Sequence, residues 1–395
     1  MSASAHYSLT VLGVLTTAFF AGAGVFQVPA GIFSAKKGAT KAALLGLVVI
    51  GVFSLASAVT YNVYIQVATR FATGVGAAFF FAPAMVIVSN LFGQGRSGLV
   101  VGVYNAAFNL GGGLALLVFT PLAYFWGWRL PYIVTGVLVL VAFAENWLAF
   151  KGIMDEAKVE IIKIKSTLKS KDVWGMTLGI MGMAAAYYVV SQFIVEYSEN
   201  TLKMSPTLAG SISSLILLGG LLGGPGGGWL ADKFKNRRRF TLLPALAAAL
   251  TIAGYAAHSV DVAWVSSVFL GFFDSASYTN AYVLPTELPQ IGRKYAPVAI
   301  GLMNSMGILG GSVASTLFAF LVLTSGYSVS WLILAVMVCV FLPFVYLARE
   351  PYFLLQSKDT TSNTPNNLVK ADASFKPLFM RRGEENDSLS VTKER

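Results

Sequence analysis

Two patterns occur twice in this chain at almost the same spacing, and they constrain its fold more than any other feature. The stretch Gly228-Trp-Leu-Ala-Asp232, followed by five basic residues, has a weaker copy that begins at Gly31, 197 residues earlier (228 − 31). A second pattern, of glycines around an asparagine, recurs 199 residues further on (301 − 102), as Gly102, Asn105, Gly111 and Gly112 and then as Gly301, Asn304, Gly310 and Gly311. Two independent patterns at nearly one spacing indicate a tandem repeat whose halves have the same orientation.

Long apolar segments contain or flank these patterns. Hydrophobic residues make up 56% of the chain and charged residues 12%, and the mean hydropathy is +0.69, far from a soluble composition. An α-helix needs roughly 20 apolar residues to cross a bilayer. Segments of this kind lie at 8–34, 42–60, 62–91, 97–122, 128–150, 173–197, 205–231, 240–258, 262–289, 296–324 and 328–349. The sequence therefore predicts an all-α integral membrane protein with two tandem helical bundles, the first of five spans and the second of six.

Lys and Arg residues are distributed unevenly between alternate loops. Of the 28 Lys and Arg residues, 17 lie in every second short loop and only two, Arg129 and Lys203, lie in the opposite loops. Loops rich in Lys and Arg remain in the cytoplasm, and we call the face that carries them the basic-loop side. The distribution predicts a plasma-membrane protein with its N-terminus outside and its C-terminus in the cytoplasm. It also accounts for the net charge of +10, so nucleic-acid binding is not expected.

The spans divide the chain into four predicted regions. Residues 1–150 are expected to form the N-terminal bundle, and residues 173–350 the C-terminal bundle. The segment 151–172 mixes six Lys with four acidic residues and is expected to be a cytoplasmic linker. Residues 351–395 are polar and charged, which is typical of a disordered tail.

Short motifs stand at matching places in this repeat. Asp232 is followed by Arg237–Arg239, and an Arg-x-x-x-Gly-x-Gly-Ala-Ala pattern begins at Arg70 in the third span. Gly127-Trp128-Arg129 precedes one helix and Glu287-Leu-Pro289 ends another. With these motifs the chain resembles the major facilitator superfamily over residues 7–350. The resemblance implies two bundles that rock about a central substrate path.

The sequence also departs from that family. Ala35 stands where the family carries an Asp in the first-half loop, and Lys235 replaces a Gly of the second-half loop. The Gly-Pro pattern of many drug/proton antiporters is missing from the span 97–122. The repeat places the counterpart of 173–197 before residue 1, so the first of twelve helices is expected to be absent. Either a short gene model or a natural eleven-span variant would give this result.

Two ionisable residues lie inside predicted spans. A charge at mid-span costs at least ~2.5–3.5 kcal/mol on insertion scales, so it is expected to face a partner or a watery cavity. Arg70 lies roughly 12 Å and Asp274 roughly 18 Å from the same side, at 1.5 Å per residue, and the resemblance places both spans along the central cavity. Asp274 is then a candidate proton carrier, and Arg70 a candidate ligand for an anionic group through its planar fork. The alternative for both is a structural pairing that only fixes helix packing.

Polar and aromatic side chains in the spans are further candidates for the substrate path. Asn105 and Asn304 occupy one position of the repeat, which favours a shared role. The remaining predicted path residues are Tyr187, Tyr188 and Gln192 in the span 173–197, and Tyr278, Asn280 and Tyr282 in the span 262–289. The alternative for the asparagines is interhelical hydrogen bonding, typically worth ~0.6 kcal/mol, and for the tyrosines it is packing.

The resemblance also implies a gate on the basic-loop side. In the family, the second-half loop Asp meets the start of a first-half helix, so Asp232 is expected at the beginning of the span 97–122, close to Arg96. A carboxylate is stabilised at such a helix N-terminus. Ala35 has no charge for the reciprocal contact. The predicted gate residues are Gly31, Gly38, Gly228, Asp232, Arg96 and Arg237.

Together these features favour one class of function. They predict a secondary active transporter in the lipid bilayer, which moves a small organic solute coupled to protons by alternating access, as a monomer. The chain has no G-x-x-x-x-G-K-[ST] motif for ATP and contains one cysteine and two histidines, so no enzymatic activity, cofactor or metal is expected. Efflux of hydrophobic compounds is one alternative, and a transport-inactive membrane sensor or scaffold is another.

Overall fold

The computed structural model describes residues 9–92, 95–150 and 160–352, and every regular element within these ranges is helical. The predicted all-helical fold is confirmed for this part of the chain. In chain order the helices are α1 (Leu9–Lys37), α2 (Ala39–Val59), α3 (Val63–Leu91), α4 (Ser97–Trp126), α5 (Arg129–Ala149), α6 (Ile161–Leu168), α7 (Lys171–Asn200), α8 (Pro206–Phe234), α9 (Arg237–Gly254), α10 (Val260–Glu287) and α11 (Gly292–Phe341). Short 3₁₀ turns follow α9 at Tyr255–Ala257 and α11 at Leu342–Leu347.

Nine helices in the described ranges are long and apolar enough to cross a membrane. Helix α11 counts once in that number, although its 50 residues would extend about 75 Å, more than twice the hydrocarbon core. Its backbone is non-helical at Gly326, with φ 75° and ψ 172°, a conformation that glycine adopts without a Cβ clash. This break separates the predicted spans 296–324 and 328–349. Helix α10 matches the predicted span 262–289 but is not among the nine, so the count of eleven spans stays a prediction.

A buried aromatic core holds the second half of the chain together. The Trp331 ring is fully buried, and its centroid lies 4.6 Å from that of Phe318, 5.2 Å from that of Tyr255 and 5.5 Å from that of Tyr197. The hydroxyl group of Tyr255 shares a 2.8 Å hydrogen bond with Ser267 of α10. Aromatic pairs of this kind add about 0.5–1.5 kcal/mol beyond the area they bury. The aromatic core therefore stabilises the position of α10 through the hydrogen bond between Tyr255 and Ser267.

Glycines bring the two halves of the chain into close contact near the basic-loop side. Gly98 and Gly102 of α4 face Gly228 and Gly224 of α8 so closely that a Cβ atom at any of the four would overlap the opposite helix. Helix α1 approaches α11 in the same way, because a Cβ atom at Gly31 would lie 2.7 Å from the Cα of Val298. Small residues allow such approaches between membrane helices.

The predicted regions have different outcomes. The division into bundles at 1–150 and 173–350 is not tested and stays a prediction. Helix α6 lies within the predicted linker, with Ile164 buried and Ile162 exposed. The other part of that linker, residues 151–159, and the predicted tail from 353 to 395 lie outside the described residues.

Candidate substrate cavity and Arg237 cluster

A cavity of about 380 Å³ lies between helices of both halves of the chain. It is lined from the first half by Phe19, Phe20, Ala23, Gln27, Ile50, Ala77, Phe80, Phe81, Tyr104, Asn105, Phe108 and Asn109. The second half contributes Ala184, Tyr187, Tyr188, Asp274, Ser275, Tyr278, Tyr282, Asn304, Gly307 and Ile308. The lining is thus mainly aromatic with a few convergent polar groups, as is common for small-molecule sites.

Asp274 supplies the carboxylate of this cavity. Its residue surface is 8% exposed, and its Oδ1 has no hydrogen-bond partner among the described residues. The Oγ of the neighbouring Ser275 is also buried without a partner there. Buried polar atoms are nearly always hydrogen-bonded, so two unsatisfied atoms side by side at a cavity wall indicate a place for a ligand, a water or a proton.

The two asparagines predicted from the repeat line the same cavity as Asp274 from different helices. The Nδ2 of Asn105 donates to Thr279 Oγ1 at 3.0 Å, across from α4 to α10. The Tyr282 hydroxyl donates to Asn304 Oδ1 at 3.2 Å, from α10 to α11. Both asparagines therefore form interhelical hydrogen bonds and also border the cavity, and their part in a substrate path stays a prediction.

The structure brings together seven of the predicted path residues and leaves out three. Those that line the cavity are Asp274, Asn105, Asn304, Tyr187, Tyr188, Tyr278 and Tyr282. Asn280 is two residues after Tyr278, hence about 200° around the helix, and lies on the opposite face of α10. Gln192 is exposed on α7, away from the cavity-lining turn of that helix.

The sequence predicted that Arg70 lines the central cavity, but Arg70 is not among the lining residues. Its guanidinium carbon lies 4.6 Å from the ring centroid of Tyr132 on α5, a cation–π geometry. Arg70 is seven residues before the lining residue Ala77, so it shares a face of α3 with Ala77 but lies about 10 Å further from the basic-loop side. Arg70 therefore contacts α5 and is not one of the residues that line the cavity.

Sequence reasoning missed several lining residues. Gln27 is 2% exposed and its Oε1 has no hydrogen-bond partner in the described part of the chain. Asn109, Tyr104 and Ser275 are the other polar lining residues that were not predicted. A polar amide inside an apolar span was the available signal for Gln27 and Asn109. Tyr104 gave none, because a membrane tyrosine is more often a packing residue.

A second set of polar residues, which we call the Arg237 cluster, consists of Arg237, Asp232, Glu287 and Asn280. The Arg237 side chain is fully buried. It donates from Nε and Nη2 to the two Glu287 oxygens at 2.9 and 2.7 Å, from Nη2 to Asp232 Oδ1, and from Nη1 to Asn280 Oδ1 at 3.3 Å. A buried guanidinium is tolerable only when its donors are satisfied in this way.

Local signals in the sequence place these side chains. Helix α9 begins at Arg237 because Asn236 caps it, accepting from the backbone N–H of Arg239 at 2.9 Å. Helix α10 ends at Glu287 because Leu288 is extended, as residues before proline usually are. Helix α8 is terminated by Lys235 at φ 52° and ψ 45°, a left-handed conformation that the glycine usual in this family would adopt more easily.

Asp232 links the cluster to the other half of the chain. Its two oxygens accept from the backbone N–H groups of Gly98 at 3.1 Å and Leu99 at 2.8 Å, in the first turn of α4. This is the contact implied by the resemblance, and the positive end of the helix stabilises the carboxylate. Arg96 precedes α4 and is exposed.

The remaining predicted gate residues have a packing or turn role. Gly31 faces α11 at Pro297 and Val298, and Gly228 faces α4 at Gly98. Gly38 has φ 98° between α1 and α2, so it permits the turn. Ala35 is 2% exposed and offers no charge to α11.

The segment after α11 adds two contacts that sequence reasoning missed. The Glu350 carboxylate accepts from the backbone N–H groups of Arg237 and Arg238 at 3.0 and 2.9 Å. Burial raises the pKa of Glu350 above its ordinary value, although these hydrogen bonds act in the opposite direction. Arg349 pairs with Asp172 at the start of α7 through Nε and Nη2, at 3.1 and 2.8 Å. The dipeptide Arg349-Glu350 has no feature in the sequence that would predict partners so far away in the chain.

Comparison with known proteins decides the family. The model of the Major Facilitator Superfamily matches residues 1–294 and 176–382. This chain belongs to the major facilitator superfamily. The relatives described below are named as transporters, in agreement with the prediction that the protein is a membrane transporter and not an enzyme.

Curated relatives of the major facilitator chain are distant. A probable L-galactonate transporter of Escherichia coli (strain K12) is 20% identical over 57% of this chain and 54% of the relative. A cis,cis-muconate transport protein of Acinetobacter baylyi is 25% identical over 49% of this chain and 47% of the relative. The α-ketoglutarate permease of Escherichia coli (strain K12) is 24% identical over 65% and 63%. The chain thus spans about half the length of the curated relatives it matches.

Solved structures show the same fold. The E. coli fucose:proton symporter FucP superposes with a TM-score of 0.70 at 14% identity, over 86% of this chain and 91% of that protein. The proton:xylose symporter XylE gives 0.69 at 18% identity, over 87% and 89%. At this level of identity the similarity establishes the fold of the major facilitator chain and nothing about its solute.

Proposed function

We propose that this protein is a proton-coupled secondary transporter that moves a small organic solute, an acid or a sugar, by alternating access. The single observation that carries the proposal is the Asp274 carboxylate, buried at a cavity formed by both halves with Oδ1 unpartnered among the described residues. An ionisable side chain inside a membrane segment is expensive, and such residues are a common feature of proton relays. Asp274 would bind and release the coupled proton.

The cavity lining supports a solute that carries several hydroxyl groups. Amide side chains and tyrosine hydroxyls offer both donors and acceptors, and five phenylalanine rings offer flat apolar faces. The solutes named for the relatives and structural neighbours are galactonate, muconate, α-ketoglutarate, fucose and xylose. All are small organic acids or sugars, and a sugar or sugar acid suits this lining best.

The position of a charged group in the solute follows from the residues near it. Among the described residues that line the cavity, none is Lys or Arg. A carboxylate of the solute would therefore be disfavoured beside Asp274 while that residue is ionised. We propose that it is favoured near Arg70, which is two turns before Ala77 on α3, and that this end of the cavity is its mouth. We propose that an acidic solute enters past Arg70 and reaches the cavity with its hydroxyl groups directed toward Asp274.

The contacts between the halves support a cavity that is closed on the basic-loop side. Glycine contacts join α4 to α8 and α1 to α11 there, and Asp232 binds the first turn of α4. Opening toward that side would require α4 and α8 to separate and the Asp232 contact to break. We propose that this separation is the step that exposes the solute to the cytoplasm. The proposed arrangement has eleven spans in the plasma membrane, an outside N-terminus, a cytoplasmic C-terminus and one copy of the chain.

A counterflow experiment tests the proposal. The purified chain would be reconstituted in liposomes loaded in turn with galactonate, muconate, α-ketoglutarate, fucose, xylose or an amphipathic cation, and entry of the same labelled solute measured. We expect rapid exchange of at least one acid or sugar, and its accumulation when the pH is lowered on one side. Exchange of the amphipathic cation alone would instead support drug efflux, for which the five phenylalanine rings of the lining would supply apolar contacts. Exchange of none of these solutes would contradict a transporter of this solute class and leave the sensor or scaffold alternative.

A further inference from the structure

Asn280 is a fully buried amide on α10 that contacts three other parts of the molecule. Its Nδ2 lies 3.1 Å from the Gly227 oxygen on α8, 3.2 Å from the Phe240 oxygen on α9 and 2.9 Å from the Ala276 oxygen on its own helix. Its Oδ1 accepts from Arg237 Nη1 at 3.3 Å. Carbonyl oxygens only accept and a guanidinium only donates, so these partners determine which way the amide points.

Two of the side chains that accept hydrogen bonds from the Arg237 guanidinium in the described part of the chain belong to α10. They are Asn280 and Glu287, and Asp232 at the end of α8 accepts as well. Helix α10 also carries Asp274, six residues before Asn280, or about 9 Å along the axis. Helix α10 therefore borders the cavity and also binds the Arg237 guanidinium, and this guanidinium binds Asp232.

We infer that Asn280 is a positioning residue, which fixes the Arg237 guanidinium so that Asp232 remains bound to the first turn of α4. The inference rests on the proposed alternating-access function. When α10 moves in response to the solute or proton at Asp274, Asn280 and Glu287 move with it. The Arg237 guanidinium then has to break its hydrogen bonds either to Asn280 and Glu287 on α10 or to Asp232. The contact between Asp232 and α4 is then either made or broken, and the position of α10 determines which of the two is favoured.

Two substitutions remove the hydrogen bond from Asn280 to Arg237. Asn280→Ala removes the acceptor for Arg237 Nη1 and leaves the guanidinium with one restraint fewer. Asn280→Leu removes the same acceptor but fills the space with an apolar side chain of about the same size. Both changes should therefore loosen Arg237, while the Glu287 and Asp232 carboxylates themselves are untouched.

A reporter for opening on the basic-loop side is available on α3. Ala84 is 7% exposed and is seven residues after Ala77, so it shares the cavity face two turns nearer that side. A cysteine at Ala84, in a background where the exposed Cys339 is replaced by Ser, would react with a maleimide only when the cavity opens there. Labelling needs no solute, so the measurement does not depend on which solute is transported.

The experiment compares labelling rates for Asn280→Ala, Asp232→Asn and the double variant. We expect each single change to raise the rate about two- to fivefold, the range given by loss of a charge at a helix terminus, and the double variant to be no faster than the faster single one. Ser277→Ala is the matched control. Its hydroxyl joins α10 to α9, donating to the Thr241 oxygen at 2.9 Å, and Ser277 is as fully buried as Asn280. It should lower the melting temperature and leave labelling unchanged.

Three results would overturn the inference: unchanged labelling in Asn280→Ala, an equal rise in Ser277→Ala, or additive effects of Asn280→Ala and Asp232→Asn. If Asn280→Ala is not recovered as folded protein, Asn280→Leu serves in its place with the same expectations. An effect of Asp232→Asn without one of Asn280→Ala refutes the positioning role alone. If Asp232→Asn has no effect either, the proposed gate fails and the inference fails with it.

Discussion

Asp232 and Leu99 are 133 residues apart in the chain and are joined by a 2.8 Å hydrogen bond from the backbone N–H of Leu99 to the Asp232 carboxylate. The bond connects the end of α8 to the first turn of α4, hence the second half of the repeat to the first. The equivalent position of the first half is Ala35, which is buried and uncharged. One half of the repeat thus has a charged contact at this level and the other does not.

This asymmetry predicts the effect of restoring the missing charge. Ala35→Asp would place a carboxylate near the start of α11, where a helix N-terminus stabilises it by ~0.3–1 kcal/mol. We expect labelling of a cysteine at Ala84 to slow by about two- to fivefold, because the closed state gains a contact. Ala35→Asn, which has the same size without the charge, is the control. Equal effects of the two variants would mean that size and not charge is responsible.

Asp274→Asn should separate solute movement from proton coupling. The amide is nearly the same shape but cannot load a proton, whereas the rocking of the helices does not need one. We expect accumulation driven by a pH difference to be lost and counterflow exchange to be partly retained. Both are measured in the same proteoliposomes. Undiminished uphill transport by this variant would exclude Asp274 as the coupling residue.

Arg70→Gln should affect acids more than sugars. A cation at the proposed mouth of the cavity raises the local concentration of anions, an effect that salt screens over about 8–10 Å. We expect the rate of uptake of an acidic solute to fall several-fold at low salt and less at high salt, while that of a neutral sugar is unchanged. Arg239→Gln, the same charge change on the exposed basic-loop side, is the control. If both solutes are affected equally, Arg70 supports packing through Tyr132.

Two glycines at one position of the repeat should respond in opposite directions to alanine. A Cβ atom at Gly311 would overlap the Tyr188 ring from α7, whereas one at Gly112 meets no atom within 4 Å in the described part of the chain. Gly311→Ala should therefore destabilise by about 1–3 kcal/mol through overpacking. Gly112→Ala should stabilise by roughly 0.5–1 kcal/mol, because alanine is the better helix former. Thermal unfolding of the two variants in detergent measures the difference, and a loss of stability in Gly112→Ala would show that another segment packs on that face.

Glu350→Ala should weaken the start of α9. The carboxylate is the acceptor for two backbone N–H groups, and a buried donor left without an acceptor costs about 1–3 kcal/mol. We expect a lower melting temperature than that of the wild type. Glu145→Ala, at an exposed position of α5, should leave it unchanged. Equal stability of the two variants would mean that water replaces the carboxylate at α9.

Several properties of this chain could be derived from the sequence. The repeat spacing, the apolar segments and the uneven placement of Lys and Arg gave the helical membrane fold and the proposed topology, because the bilayer requires long apolar helices and retains positive loops on one side. The same reasoning singled out Asp274, Asn105 and Asn304, which line the cavity, since the cost of a charge in the membrane and the repeat both act on single residues. The position of Asp232 at α4 followed from a family motif.

Other properties were decided by the tertiary structure alone. Tyr278 and Asn280 are two residues apart on one apolar helix, and only the packing of α8 and α9 determines that the first faces the cavity and the second faces Arg237. Glu350 reaches α9 from a position 113 residues away from Arg237. Such contacts depend on rotation about helix axes and on which helices become neighbours. These are set by the packing of the whole bundle, and hydropathy, which records only how apolar each segment is, does not contain them.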